Sequence, residues 1–390
     1  MKCLKIAPII QDTMPPIKIA VNTRLLLCDR MEGIGYFTYE TMRYIVLQHP
    51  EVEFHFLFDR PYDPSFIFAD NVKPVILFPP ARHPFLWFAW FAWSVKRYLA
   101  KHKFSLFLSP DGYLPLHTAT PTVVVQHDIA FVHYPKSIDW LTSQYYHYFV
   151  PKFLHSATRI ATVSAYSKSD IVQHYHIAPD TIDVVYSAAK DIFHPIANDV
   201  KQAVRKTYTD GKPYLLYVGS INARKNLKNM LLAFDRFKQV HGGDLQFVIA
   251  GAMGWQNSDL QPVLDSMQHR SQVIFIGRQP LDTLVSLIGA SFALLYVSLF
   301  EGFGVPPLEG MACGVPVITS SVSSLPEVCA DAALLVSPTD VEAIATAIAA
   351  LWLDPTLCAT LIDRGYIQAQ QWTWQRTAEL LWHCCERAME

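Results

Sequence analysis

Short apolar runs alternate with longer helical patterns from one end of the chain to the other, and no other feature constrains the fold as strongly. A parallel strand covered on both faces reads as a continuous apolar run, and its parallel neighbour is reached through a crossover long enough to hold a helix. Such runs lie at Ile17–Asn22, Val52–Phe58, Phe104–Leu108, Thr122–Gln126, Arg159–Val163 and Ile182–Val185. A second series lies at Tyr214–Val218, Leu245–Ala250, Val273–Ile276, Ala293–Val297, Val315–Thr319 and Ala333–Val336. The spacing between them predicts helices over Tyr36–Gln48, Leu227–Val240, Val341–Leu353 and Thr356–Gln370, among others. This pattern predicts an α/β fold whose parallel sheets are covered on both faces.

The alternation breaks once, between Ser187 and Lys212, where Phe193-His194-Pro195 leads into a polar stretch and then Asp210-Gly211-Lys212-Pro213. A linker there divides the 390 residues into 1–195 and 196–371, a length that suits two domains. Two doubly wound domains joined at that point leave a cleft between the carboxyl ends of their sheets, where such folds bind ligands.

Composition removes several classes. With 32 Lys plus Arg against 34 Asp plus Glu, the formal charge is −2. That balance lacks the basic excess that phosphate-backbone binding needs, so no nucleic-acid partner is expected. A chain that is 51% hydrophobic has ample core material and is not disordered. The seven Cys are odd in number and form no CxxC or zinc-ligand spacing, so reduced thiols and a cytoplasmic setting are expected, with no metal. Lys2 and Lys5 open the sequence, but Gln11, Asp12 and two prolines interrupt any apolar leader. No apolar stretch reaches the roughly 20 residues of a membrane span.

Four segments carry chemistry. In Glu301-Gly-Phe-Gly-Val-Pro-Pro-Leu-Glu309 two carboxylates flank seven residues. The chain leaves a strand, turns on Gly302 and Gly304, and enters a short helix through Pro306 and Pro307, which suit a first turn. Gly314 suits the left-handed position that ends it. Free N–H groups at that helix start form an anion site, and carboxylates accept hydrogen bonds from paired sugar hydroxyls. In the second segment, Tyr217-Val-Gly219-Ser220 ends a strand and Arg224-Lys225 precede a helix, where two cations are favourable when an anion is bound. His127, in Gln126-His127-Asp128, ends a strand of the first domain and faces the cleft; pairing with Asp128 is the plainer role. Gly33-Ile34-Gly35 follows the first strand, but it lacks the third glycine of a dinucleotide fingerprint.

In this order the four segments resemble the family 4 glycosyltransferases of the GT-B fold, two Rossmann-like domains facing across a cleft. The resemblance is most specific over Ser298-Leu-Phe-Glu-Gly-Phe-Gly, Met311-Ala-Cys-Gly-Val-Pro-Val-Ile and Ser323-Ser-Leu-Pro-Glu327. Val163-Ser-Ala-Tyr-Ser-Lys-Ser-Asp-Ile171 is similar to the end of this family's first domain. The wording is nearest to bacterial mannosyltransferases of surface-polysaccharide assembly of the O-antigen type. The resemblance implies a retaining, metal-independent transferase without a cofactor. Its donor would be a nucleotide sugar, GDP-mannose foremost and a UDP-hexose as the alternative, and its acceptor a glycan or lipid-linked glycan. By this likeness Arg224 and Lys225 would hold the diphosphate, with Gly219 beside them. Glu309 would bind the ribose and Glu301 the sugar hydroxyls. Backbone from Phe303, Gly304 and Val305 to Leu308 would meet sugar and phosphate, and Arg278 would line the base pocket. His127 would sit by the transferred sugar, with Gly33 and Gly35 near phosphate and acceptor. The last helix, 372–390, would cross back onto the first domain. Ser187-Ala188 stands where the family often has Asn-Gly, and Gly310 where Ala is usual.

Two roles remain open for Glu301, as a hydroxyl acceptor or as a nucleophile. A phosphorylase-like enzyme is disfavoured by length, and a non-catalytic sugar-nucleotide binder would carry the same residues. Residues 85–93 hold three Trp and three Phe, and Lys96, Arg97, Lys101 and Lys103 follow. Trp87, Trp90 and Trp93 suit either an interfacial helix on the inner face of the plasma membrane or a core helix.

Overall fold

The computed structural model describes residues 17–28, 31–252 and 260–390. The opening segment with Lys2, Cys3, Lys5, Gln11 and Asp12 lies outside them. Thirteen strands form two sheets among the described residues. The first contains β1 (Lys18–Asn22), β2 (Glu53–Phe58), β3 (Val72–Ile76), β4 (Leu106–Ser109), β5 (Thr122–Val125), β6 (Arg159–Thr162) and β7 (Ile182–Val184). The second contains β8 (Tyr214–Val218), β9 (Gln246–Ala250), β10 (Val273–Gly277), β11 (Ala293–Tyr296), β12 (Val317–Ser320) and β13 (Leu334–Val336). Their orders are β3-β2-β1-β4-β5-β6-β7 and β10-β9-β8-β11-β12-β13, and every pairing is parallel. Each sheet reverses its winding once, between β1 and β4 and between β8 and β11, and the crevice of a doubly wound sheet opens at that reversal.

The strands form because their side chains are covered on both faces. All five residues of β8 are buried, and a fully buried large apolar side chain contributes about 1.5–3 kcal/mol. β3 has no counterpart among the predicted runs, since Pro74 reads as a break. It is an edge strand that pairs only with β2, where a residue without an N–H is tolerated.

The last helix, Trp374–Met389, starts on Thr373, whose hydroxyl accepts from the Arg376 N–H at 3.2 Å. It packs on the first domain rather than the second. Trp382 stacks on His49 at 3.8 Å, Trp374 meets Phe37 edge-on, and Arg387 reaches Asp183 of β7 at 2.6 Å.

The aromatic segment divides its tryptophans. The helix Pro84–Ala89 passes through a π-helical turn, Trp90–Val95, into Lys96–His102. A three-residue repeat drifts around a helix, so the three rings do not share a face. Trp90 is fully buried and its indole N–H donates to the Leu77 carbonyl at 3.0 Å. Trp87 donates to the Ala81 carbonyl and packs on Tyr113 and Tyr145. Trp93 is 67% exposed. The two alternatives divide within the segment: Trp90 belongs to the core, and the outward face carries Phe85, Phe88 and Trp93. Among the described residues no single helix is long and apolar enough to cross a membrane.

Candidate active site

The winding reversals of both sheets open into one cavity of about 570 Å³. Asp111, Gly112 and Tyr113 follow β4 on one wall; Gly219 and Ser220 follow β8, and Glu301 follows β11, on the other. Gly219 has φ +147°, a backbone that side chains rarely adopt, and it lets the turn after β8 line the cavity without a Cβ.

Glu301 is 6% exposed, and its carboxylate accepts three charged or polar contacts. Lys225 Nζ lies 2.7 Å from its Oε1 and Arg224 Nη1 3.1 Å from its Oε2. The Tyr296 hydroxyl donates to Oε1 at 3.0 Å, and the Glu301 N–H donates to Ser323 Oγ. Arg224 is further held by the Phe300 carbonyl, and Lys225 by the Tyr296 oxygen at 2.6 Å. Burial works against the Glu301 charge, but Lys225 and Arg224 outweigh it and hold the carboxyl down at about 2. Burial pulls the Lys225 ammonium below its ordinary value against the attraction of Glu301. The three side chains carry one net positive charge at the floor of a cleft.

The helix Val305–Ala312 begins beside them on Gly304, at φ +97°. Pro306 and Pro307 carry no N–H, so the free donors of this helix start are those of Gly304 and Val305. Phe303, Gly304 and Val305 line the cavity. Leu308 does not: its side chain is fully buried in the core, and as the fourth helical residue its N–H bonds within the helix. Glu309, one position further, is 8% exposed, and burial pushes its carboxyl up to about 7 despite the nearby Lys190. Lys190 sits 3.4 Å above the Tyr36 ring, and Arg278 at the end of β10 acts on the same tyrosine across the cleft. Gly310 departs from the usual Ala because a Cβ there would come within 3.0 Å of Leu294 and 3.2 Å of Val317.

His127 lines the cavity from the first domain and packs edge-on against Phe37. Its Nε2 lies 2.9 Å from the Pro110 carbonyl, so Nε2 carries the proton and the Nδ1 lone pair is left to accept. Burial lowers its basicity, which keeps the ring neutral. Asp128 instead accepts from the Ala130 N–H, so the plainer His127–Asp128 pair does not form. Gly33 lines the cavity, whereas Gly35 packs where a Cβ would meet the Leu25 carbonyl at 2.7 Å.

The two domains touch around the cavity. A Cβ on Gly302 would fall 2.6 Å from the His127 carbonyl, so only glycine permits this approach. The Gly302 carbonyl accepts from Ser164 Oγ at 2.6 Å and Ser167 Oγ at 3.1 Å. Glu327 reaches across and accepts from the Ala165 and Tyr166 N–H groups, at 2.9 and 3.1 Å, at the start of the helix Ala165–Tyr175. Tyr296, Lys190 and the cross-domain role of Glu327 escaped the sequence reading. Tyr296 sits inside an apolar strand, and no spacing marks Lys190. Among the described residues no group of three or more His, Cys, Asp or Glu could hold a metal ion.

Comparison with known proteins agrees with this geometry. The family model described as Glycosyltransferase Family 4 matches residues 31–189, and that described as Glycosyl transferases group 1 matches residues 200–368. The chain is similar to the O-antigen chain mannosyltransferase B of Escherichia coli, with 30% identity over 71% of this chain and 73% of the relative. Among solved structures it is similar to sucrose-phosphate synthase from Thermosynechococcus elongatus, at a TM-score of 0.76, 20% identity and coverage of 94% and 98% of the two chains. Anabaena Alr3699/HepE in complex with UDP and glucose gives a TM-score of 0.71, 14% identity and coverage of 94% and 98%. The two models cover one domain each, and with the Escherichia coli relative they show that this chain belongs to the family 4 glycosyltransferases, enzymes of the GT-B fold that transfer a sugar.

Proposed function

We propose that the protein transfers mannose from GDP-mannose, with retention of configuration and without a metal ion, onto a glycan or lipid-linked glycan of a surface polysaccharide. The observation that carries the reading is the Arg224–Lys225–Glu301 cluster beside the free N–H groups of Gly304 and Val305, facing His127 across the cleft. The name of the Escherichia coli relative supports mannose. Arg224, Lys225 and the helix start stabilise the charge that gathers on the diphosphate as it departs, in the manner of preorganised electrostatic catalysis. Glu309 accepts from the ribose hydroxyls, and His127 Nδ1 accepts from a hydroxyl of the transferred sugar.

In the transfer, the bond from the sugar's anomeric carbon to the phosphate oxygen breaks and the acceptor oxygen bonds to that carbon from the same face. The acceptor's proton passes to an oxygen of the leaving diphosphate. Both carboxylate oxygens of Glu301 are engaged by cations and Tyr296, which supports a hydroxyl-orienting role over a nucleophilic one.

The first domain also holds an apolar pocket of about 780 Å³, lined by Phe88, Phe149 and Phe153 with Lys96 and Lys152 among its residues. With the outward Phe85, Phe88 and Trp93, this face supports peripheral contact with the inner face of an anionic membrane, where a lipid-linked acceptor would be met.

Release of nucleoside diphosphate from a donor panel tests the reading. GDP-mannose is expected to give the highest kcat/KM. A UDP-hexose in its place would shift the donor assignment, and no turnover with any nucleotide sugar would overturn the reading.

A further inference from the structure

The first-domain wall of the cavity holds hydrogen-bonding capacity that nothing among the described residues uses. Gln126 is 9% exposed and lines the cavity. Its backbone is held on both sides, the N–H by the Ala161 carbonyl and the carbonyl by Thr162 Oγ1, and its Nε2 donates to the Asp128 carbonyl at 2.6 Å. These bonds set the orientation of the amide and leave Oε1 as a buried acceptor without a partner among the described residues. A buried polar atom left unpaired costs about 1–3 kcal/mol, so it points to a ligand group that completes it. Gly112 lies against that atom: a Cβ there would sit 3.1 Å from Oε1, so glycine keeps the space beside it open.

An unused donor lies on the same wall. The Tyr113 hydroxyl donates to the Tyr146 oxygen at 3.1 Å, which leaves the Tyr146 proton for the cavity that both rings line. The rings are rigid. Tyr113 stacks on Phe91 at 5.4 Å and carries the Arg24 guanidinium 4.5 Å from its centre, while Tyr146 packs on Phe131 at 5.3 Å. Two carboxylates lie on this wall: Asp111 accepts from Arg24 Nε at 2.5 Å and from Asn22 Nδ2 at 2.7 Å, and Asp128 Oδ1 accepts from the Ala130 N–H at 2.9 Å.

From this arrangement we infer that Gln126 and Tyr146, set on the Tyr113–Phe131 aromatic wall, form the subsite for the pyranose ring that receives the transferred sugar. An aromatic wall takes the C–H face of a pyranose, and sugar hydroxyls, each a donor and an acceptor, satisfy Gln126 Oε1 and use the Tyr146 proton. All of these residues lie on the first domain, across the cleft from Arg224, Lys225 and Glu301, so the subsite adjoins the anion site without sharing its side chains. The inference rests on the glycosyl-transfer reading above.

The test uses the full-length protein with GDP-mannose as donor and methyl α-mannoside as the acceptor probe. Tyr146→Phe keeps the ring and removes the donor; Gln126→Met keeps the volume and removes the acceptor. Each is expected to raise the KM for methyl α-mannoside about three- to tenfold, the size of one lost neutral hydrogen bond. GDP-mannose affinity, read by calorimetry, is expected to stay within about twofold, since sites without shared partners act independently. An unchanged acceptor KM in both variants overturns the subsite, and so does a parallel loss of GDP-mannose affinity, which would assign these groups to the donor or to the fold. Wild-type protein that binds no nucleotide sugar would instead overturn the transfer reading itself, and the subsite with it.

Discussion

Replacing Glu301 by Gln separates its two roles, holding the cations and serving the substrate. In the wild-type protein the carboxylate lies 2.7 Å from Lys225 and 3.1 Å from Arg224 and titrates at about 2 instead of 4.5. A depressed carboxyl contributes stability above its unfolded pKa and loses it as pH falls through the folded value, here from about 4.5 to about 2. The shift corresponds to about 3 kcal/mol at neutral pH, at roughly 1.4 kcal/mol per pH unit. Breaking a buried ion pair costs a similar ~3–5 kcal/mol, because the partner charges remain buried. A domain of this size loses about 2–4 °C per kcal/mol, so Glu301→Gln should melt about 6–12 °C below wild type. A bound diphosphate replaces the missing negative charge, so GDP should raise the melting temperature of the variant more than that of the wild type. Thermal unfolding with and without GDP reads both effects. A variant that melts within about 2 °C of wild type, less than 1 kcal/mol on that scale, or that gains less from GDP than wild type does, would refute the coupling between this carboxylate and the anion site.

Three further outcomes follow from other parts of the site. The Glu309 carboxyl, pushed up to about 7, holds a proton that the unfolded chain gives up at about 4.5, so its contribution to stability falls as pH rises between those values. Ribose hydroxyls donate to the ionised form; nucleotide affinity should therefore improve about tenfold from pH 6 to pH 8, and a Glu309→Gln variant with the same pH dependence would remove that assignment. Glu327→Ala leaves the Ser164 cap of the helix Ala165–Tyr175 but removes the acceptors of the Ala165 and Tyr166 N–H groups across the domain interface, at a cost of about 1 kcal/mol. Its radius of gyration by small-angle scattering should grow and its donor KM rise, and an unchanged profile would deny Glu327 a part in closure. The double variant Phe88→Ser, Trp93→Ser should co-sediment with anionic vesicles at least about tenfold less than wild type, since burying one such ring contributes about 1.5–3 kcal/mol; equal binding would free this face of a membrane role.

Much of the architecture was legible because buried parallel strands are written as uninterrupted apolar runs. Twelve of the thirteen strands among the described residues coincide with such runs, and the exception, β3, carries Pro74 on an edge. The cluster of Arg224, Lys225 and Glu301 was legible in part: glycine and proline spacing marks the turn and the helix start, but not that Glu301 grips both cations. Tyr296 stayed hidden because a buried hydroxyl inside an apolar strand looks like core. The aromatic segment left two readings open, because a three-residue repeat drifts around a helix and its spacing does not tell which ring turns inward: Trp90 is buried and Trp93 exposed. Gln126 could not be read at all, because an unsatisfied atom is a property of its neighbours, not of its residue type.

The most direct measurement of the central claim is a crystal structure of the protein with GDP-mannose or GDP bound. The account predicts the diphosphate between the Arg224 and Lys225 side chains and the Gly304 and Val305 N–H groups, with the ribose hydroxyls on Glu309. A diphosphate bound elsewhere, with the Arg224–Glu301–Lys225 pairs unchanged and no anion beside them, would contradict it.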